Sequence, residues 1–386
     1  MNKKLLIAFA IGLLNSLLQT GCDSKKTEDS VKIGVVYNLS GEQQALDIPS
    51  MEGAIVATKE INNSGGILGR KLELISIDGK SQIPTIKQKI LEQIKNNPDM
   101  STIIGLSDTD FVLSSAKIAA DNERLFITSG ATSPLLPKQI PHYLFLSCFG
   151  DNVQAAAAAQ WAVSSLKAKT AAVIYDQDKE YTRLLHGYFE TSFKALGGKI
   201  VASIGYNSKT LKDVIENLPK ADIIYFSAVP DDVIGGINFI RKTGYQDPIV
   251  GGDGLDIGDE WKTNPNIKNV YFTTHAYLGA DSKSSAIKLF RKKFTKTYPN
   301  KEPDAFTALG YDSLHLVAKA IEKAGNTEVE SIRKALFNIG EFKGISGNIK
   351  FVNDKTIPEK EVTLLEVKSG QELFVDQILP TTIPTP

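Results

Sequence analysis

Three short stretches hold the polar side chains best placed for chemistry: Ser107-Asp108-Thr109, Ser129-Gly-Ala-Thr132 and Gly252-Asp253-Gly254. Each follows a run rich in apolar and β-branched residues, at 102–105, 125–128 and 248–251, so each stands at the end of a predicted strand. Asp108 and Thr109 occupy the positions where a following helix needs its N-cap, and the exposed N–H groups and dipole of a helix start favour an anion. Capping alone would also explain both residues. Asp253 lies between two glycines, where a carboxylate can approach a cation closely and pair with it charge to charge. An ordinary Asp-Gly turn is the plainer reading of the same residues.

Signatures of covalent or cofactor chemistry are incomplete. Gly79-Lys-Ser81 has the end of a phosphate-binding loop, but Leu74 stands where the first glycine belongs. Gly252-Asp-Gly254 has Ile257 at the third glycine of a dinucleotide fingerprint, and only a relaxed variant would end at Gly258. No serine sits in a G-x-S-x-G elbow. His142, His186, His275 and His315 lack metal-ligand spacing and are assigned no role. These absences point away from an enzyme and imply no cofactor and no metal.

Charge gives no bias either: 44 basic and 44 acidic residues balance in the 386-residue chain. Aromatic residues are not interleaved with basic clusters, so nucleic acid is not an expected partner. Lys3 and Lys4, the apolar stretch from Leu5 to Leu18 and the small residues before Cys22 have the order of an export signal, with an apolar core too short to span a bilayer comfortably. Cleavage before Cys22 would make it an acylated N-terminus, although Gln19 rather than leucine stands three residues earlier. An ordinary signal peptide or an uncleaved anchor would leave Cys22 incidental. Residues 23–30 are polar, without a large apolar side chain, and read as a flexible tether. The remaining Cys148 is expected to pack as a small apolar residue, with no intramolecular disulfide.

The elements that position the polar stretches alternate. Strand-like runs at 31–37, 71–77, 102–105 and 125–128 are separated by helical patterns at 49–62, 84–95 and 109–122. After an irregular segment, 131–150, the alternation restarts with helices at 152–166, 180–196, 211–218 and 232–243 and strands at 170–175, 199–204, 223–227 and 248–251. Further on, 270–277, 347–351 and 361–367 read as strands and 284–298, 305–324 and 329–337 as helices. Such series predict an α/β protein with two doubly wound parallel-sheet lobes, whose ligands bind beyond the carboxyl ends of the strands. The Pro/Thr-rich end, 380–386, reads as a frayed tail.

Six motifs in order resemble the branched-chain amino-acid binding protein family: Val31-Lys-Ile-Gly-Val-Val-Tyr-Asn-Leu-Ser-Gly41, Glu52-Gly-Ala54, Ile61-Asn62 with Gly65-Gly-Ile-Leu-Gly-Arg-Lys71, Ser129–Thr132, Asp176–Tyr181 and Gly251–Gly254. The likeness spans about residues 31–375. It implies a type I periplasmic-binding fold with three hinge crossings, near 148–151, 274–277 and 354–359. Lobe one would comprise 31–149 and 276–355; lobe two would comprise 150–275 and 356–379, after a signal peptide at 1–21 and the lipidated Cys22 with its tether at 22–30.

The same resemblance implies a substrate-binding component of an ATP-binding-cassette importer. It would be a monomer outside the cytoplasmic membrane, held by its lipid anchor, that delivers an amino acid or analogue to a permease. Thr109 matches the family's pocket serine, and Thr132 would join it at the ligand carboxylate. Carbonyls of Ser129 and Ala131 would take ammonium protons, Asp253 would pair with the ammonium, Tyr181 would close over the ligand, and Leu46 and Phe149 would line its side-chain end. Ser147 replaces a family arginine and Thr182 a family glycine, which leaves the ligand open to urea, amides, aromatic acids and small peptides. A sensory receptor on the same fold is the main alternative; without an appended signalling domain, transport is preferred.

Overall fold

The computed structural model describes residues 30–352 and 355–386. The expected signal peptide, Cys22 and most of the tether lie outside the described residues, as does the first position of the third expected crossing, residue 354.

The first lobe opens with β1 (Val31–Tyr37), α1 (Gln44–Asn63), β2 (Leu72–Asp78), α2 (Ile83–Asn96), β3 (Thr102–Gly105), α3 (Thr109–Asp121), β4 (Leu125–Thr128), the short α4 (Leu136–Gln139) and β5 (Leu144–Leu146). Its strands form a parallel sheet in the order β2-β1-β3-β4-β5. Because successive side chains of a strand point to opposite faces, β1 feeds two cores. Val31, Ile33, Val35 and Tyr37 pack on one face, whereas Val36 joins Ile77, Ile103 and Phe126 on the other.

The second lobe follows as α5 (Asp151–Ser164), β6 (Thr170–Asp176), α6 (Glu180–Ala195), β7 (Lys199–Tyr206), α7 (Leu211–Glu216), β8 (Ile223–Ser227), α8 (Pro230–Lys242), β9 (Ile249–Gly251) and β10 (Lys268–Thr274). The parallel strands lie in the order β7-β6-β8-β9-β10, which repeats the winding of the first sheet. The chain then returns to the first lobe with α9 (Ser285–Thr297), α10 (Ala305–Ala324) and α11 (Val329–Phe337), followed by the hairpin β11 (Phe342–Gly344) and β12 (Gly347–Ile349). Finally β13 (Val362–Lys368) and β14 (Gln371–Ile378) add antiparallel strands beside β10.

Helix α10 is defined at both ends. Asp304 and Thr307 form a reciprocal capping box, and Gly325, at φ 72°, closes the C-terminus in the left-handed conformation. It packs on α1 so closely that a Cβ on Gly53 would overlap the Thr307 carbonyl, and one on Gly310 the Ser50 carbonyl. Two crossings are tied together by Lys360. Its buried ammonium donates to the Ser147 carbonyl at 3.1 Å and to Ser346 Oγ at 2.9 Å, and burial lowers its pKa to about 8.

The Pro/Thr-rich end, expected to fray, runs against both lobes. Asn152 Nδ2 donates to the Pro384 carbonyl at 2.9 Å, and Lys138 Nζ reaches that of Pro386 at 3.4 Å.

Candidate ligand-binding site

The shared winding explains why the polar stretches converge. In a sheet of order 2-1-3-4-5, the crevice opens beyond the carboxyl ends of the strands where the order reverses. Thr109 follows β3 and Ser129–Thr132 follows β4, while Asp253 follows β9, the fourth parallel strand of the second lobe and so the counterpart of β4.

Asp253 is buried at 3 % exposure and has three donors. Its Oδ1 accepts from Tyr181 Oη at 2.8 Å and Gln154 Nε2 at 2.7 Å, and its Oδ2 from His275 Nε2 at 3.1 Å. Tyr181 Oη in turn accepts the Gly254 N–H at 3.0 Å, an approach that suits glycine because a Cβ there would overlap the Ala228 carbonyl. Gln154 is fixed at its other end: Oε1 accepts from Thr273 Oγ1 at 2.8 Å and from the Asp253 N–H at 3.1 Å.

Asp151, in the first turn of α5, connects this cluster to the first lobe. Its N–H donates to the Thr132 carbonyl at 2.7 Å, and its Oδ1 accepts from Gln154 Nε2 at 2.9 Å. Burial drives its pKa well up; the negative charges of Asp253 and Asp108 add to this, while the neighbouring Thr132 hydroxyl opposes it. His275 stacks on Phe149 at 4.1 Å between ring centroids, and burial lowers its pKa, so the ring is neutral. Because Nε2–H donates to Asp253, Nδ1 is a bare acceptor; it is buried without a partner, as are Asp151 Oδ2 and Thr109 Oγ1.

Direct contacts join the two lobes above these groups. Lys179 Nζ, at the start of α6, pairs with Glu42 at 2.9 Å, and the Glu180 N–H donates to Asp110 Oδ2 at 3.1 Å. On the first-lobe side, Asp108 caps α3, its Oδ1 accepting from the N–H groups of Asp110 at 2.9 Å and Phe111 at 3.3 Å. Burial, reinforced by Asp110, raises its pKa to about 7.

Thr109, Thr132, Tyr181 and Asp253 thus belong to one neighbourhood. Ser129 turns its hydroxyl inward to Tyr37 Oη at 2.7 Å, while its carbonyl accepts from Ser147 Oγ at 3.2 Å. The Ala131 carbonyl accepts from Cys148 Sγ at 3.2 Å, so neither carbonyl is free of a donor; burial pushes the Cys148 thiol up in pKa. Leu46 packs in the first-lobe core with Ile103 and Phe111, and Phe149 in the second-lobe core with its face on His275.

Sequence reasoning missed Asp151, Gln154 and His275. The Asp-x-x-Gln spacing at a helix start was the one local signal for the first pair. Among the described residues, no group of three or more His, Cys, Asp and Glu side chains is arranged to hold a metal ion.

A family model described as periplasmic binding protein matches residues 30–372. The Leu/Ile/Val-binding protein homolog 1 of Brucella abortus is 26% identical over 328 residues, covering 83% of this chain and 86% of that protein. Among solved structures, the branched-chain amino acid transporter substrate-binding protein LivJ of Streptococcus pneumoniae, in complex with isoleucine, superposes with a TM-score of 0.82 at 26% identity, over 91% of this chain and 100% of that one. The leucine-binding protein LivK of Thermotoga maritima gives 0.79 at 28% identity, over 91% and 99%. The repeated winding, the three-segment connectivity and these likenesses agree: the chain has the type I periplasmic-binding fold and belongs to the periplasmic binding protein family, within which it resembles the branched-chain amino-acid binding proteins.

Proposed function

We propose that this chain is the substrate-binding component of an ATP-binding-cassette importer and takes a small amino-acid-like ligand between its lobes. Thr109 and Thr132 face that ligand from one lobe, Tyr181 and Asp253 from the other. The lipid on Cys22 holds the protein outside the cytoplasmic membrane, where its closed form docks on a permease. The observation that carries this reading is the hydrogen-bonded run from the Thr132 carbonyl through Asp151 and Gln154 to Asp253 and Tyr181. It spans both lobes and still leaves Thr109 Oγ1 and Asp151 Oδ2 without partners. Buried polar atoms left in that state cost about 1–3 kcal/mol each, so a ligand that completes them favours closure.

The relatives named for leucine, isoleucine and valine, and the isoleucine bound by the streptococcal protein, support an apolar amino acid or a close analogue. A thermal-shift screen of the tag-free mature chain against amino acids, amides and aromatic acids tests the proposal. A ligand at 100 times its Kd stabilises by about 2.7 kcal/mol and raises Tm by several degrees. Failure of every compound to raise Tm would sink it. Asp253→Ala is expected to weaken binding of the best ligand by roughly 2–5 kcal/mol in calorimetry, the cost of removing one partner of a buried charge pair.

A further inference from the structure

We infer that the cleft selects a small primary ammonium compound whose other end is uncharged, an amine or an amino-acid amide, over a zwitterionic amino acid. The inference rests on the interlobe-binding reading above and narrows it.

Two threonines would have to receive a ligand carboxylate, Thr109 and Thr132, and each stands beside a carboxylate of the chain itself. At the start of α3, the N–H groups of Asp110 and Phe111 that could hold an anion already donate to Asp108 Oδ1, at 2.9 and 3.3 Å. Asp108 is itself buried, and Asp110 adds a second negative charge in the same turn. A helix start whose N–H groups are already taken by its own carboxyl has none left for a second one, and the charge of Asp110 repels it. Lys179, whose charge reaches Asp108, is already paired with Glu42 at 2.9 Å.

The Thr132 side meets the same obstacle. Its hydroxyl lies next to Asp151, a fully buried carboxyl group whose Oδ2 lacks a well-formed hydrogen bond. Asp151 also feels the charges of Asp253 and Asp108.

The unfilled positions agree in kind. His275 Nδ1 is an acceptor, the Thr109 hydroxyl can accept as readily as donate, and Asp151 Oδ2 becomes an acceptor once an ammonium displaces the proton that burial holds on this carboxyl. Asp253 Oδ2, whose one donor among the described residues is His275, has a lone pair to spare. A ligand that completes such a set brings several N–H groups and no carboxylate. An ammonium and a primary amide together supply five.

The test is calorimetric titration of the tag-free mature chain at pH 7. The probes are matched pairs of amino acid and amide (leucine, alanine and phenylalanine with their carboxamides), with 3-methylbutylamine and benzoate as the single-charge controls. In the pair that binds best, the amide is expected to bind at least tenfold tighter than the acid. It is also expected to release protons, seen as heats that change with the ionisation enthalpy of the buffer. Asp108→Asn keeps a capping side chain and removes its charge, and should cut that preference at least fivefold. Asp110→Asn, which leaves the cap untouched, should shift it the same way and serves if the first variant misfolds. An amino acid binding as tightly as its amide, or benzoate binding better than either, overturns the inference while interlobe binding stands. No binding by any probe overturns both.

Discussion

Asp108 carries two duties that pull its proton in opposite directions. As the cap of α3 its charged form accepts two N–H groups, but burial and Asp110 favour the neutral acid and prevail, at a pKa of about 7. Asp47 is in the same position: buried, accepting the Asn38 N–H at 2.8 Å, and raised to about 7. Both folded-state values lie above the ordinary carboxylate range, so the folded protein binds these protons more tightly than the unfolded chain does. Below about pH 4 both states are protonated and neither residue costs anything; stability then falls as pH rises to about 7 and levels off above it. We expect Tm of the ligand-free protein to fall across that window, and Asp108→Asn to flatten part of the slope; a variant profile parallel to the wild type would contradict the assignment. The strand-end and helix-start positions of Thr109 and Asp253 were legible because they are local properties, whereas Tyr181 entered only through the family resemblance. Gln154 and His275 were not: they meet Asp253 across 99 and 22 residues, pairings that no local pattern encodes.

At the scale of elements, α1 and α10 show how two glycines set an approach. Gly53 lies against the Thr307 carbonyl and Gly310 against the Ser50 carbonyl, so each helix is bare where the other's backbone comes nearest. Gly310→Ala must push the helices apart, and we expect it to destabilise the protein by roughly 1–3 kcal/mol in urea unfolding, in line with overpacking elsewhere. An unchanged midpoint would mean that the contact gives way freely. The strands and most helices were readable from apolar runs and three- and four-residue spacing. The start of α1 was not, because the helix begins at Gln44 and carries Pro49 inside it, whereas the sequence pattern suggested a beginning at that proline. Three strands also escaped, β5, β11 and β14. β5 and β11 are only three residues each, β5 inside a Pro-containing segment, and β14, buried only at Ile378, has too little inward-facing apolar surface to stand out.

For the whole molecule, the matching sheet orders bring two strand ends of equal rank, those of β4 and β9, to face one another. The general architecture followed from the alternation of strands and helices, but the return of the chain to the first lobe at α9–α11 came only through the family resemblance. Contacts between the lobes at the rim are modest. The Lys179–Glu42 pair is partly exposed, at 25% and 33% of its side chains, so its net worth is about 0–1 kcal/mol. Lys179→Met is therefore expected to weaken ligand binding by less than about fivefold, with the difference shrinking at high salt; a larger, salt-insensitive loss would move Lys179 from the rim into the ligand's own contacts.

The central claim is that closure of two lobes encloses the ligand among Thr132, Asp151 and Asp253. A crystal structure of the protein with the compound that raises Tm most tests it directly. The account predicts density for that compound between the loops after β4 and β9, within hydrogen-bond reach of Asp151 and Asp253. Density instead in the open groove of about 1490 Å³ beside Phe337, Pro358 and Pro384, with nothing between those loops, would contradict it.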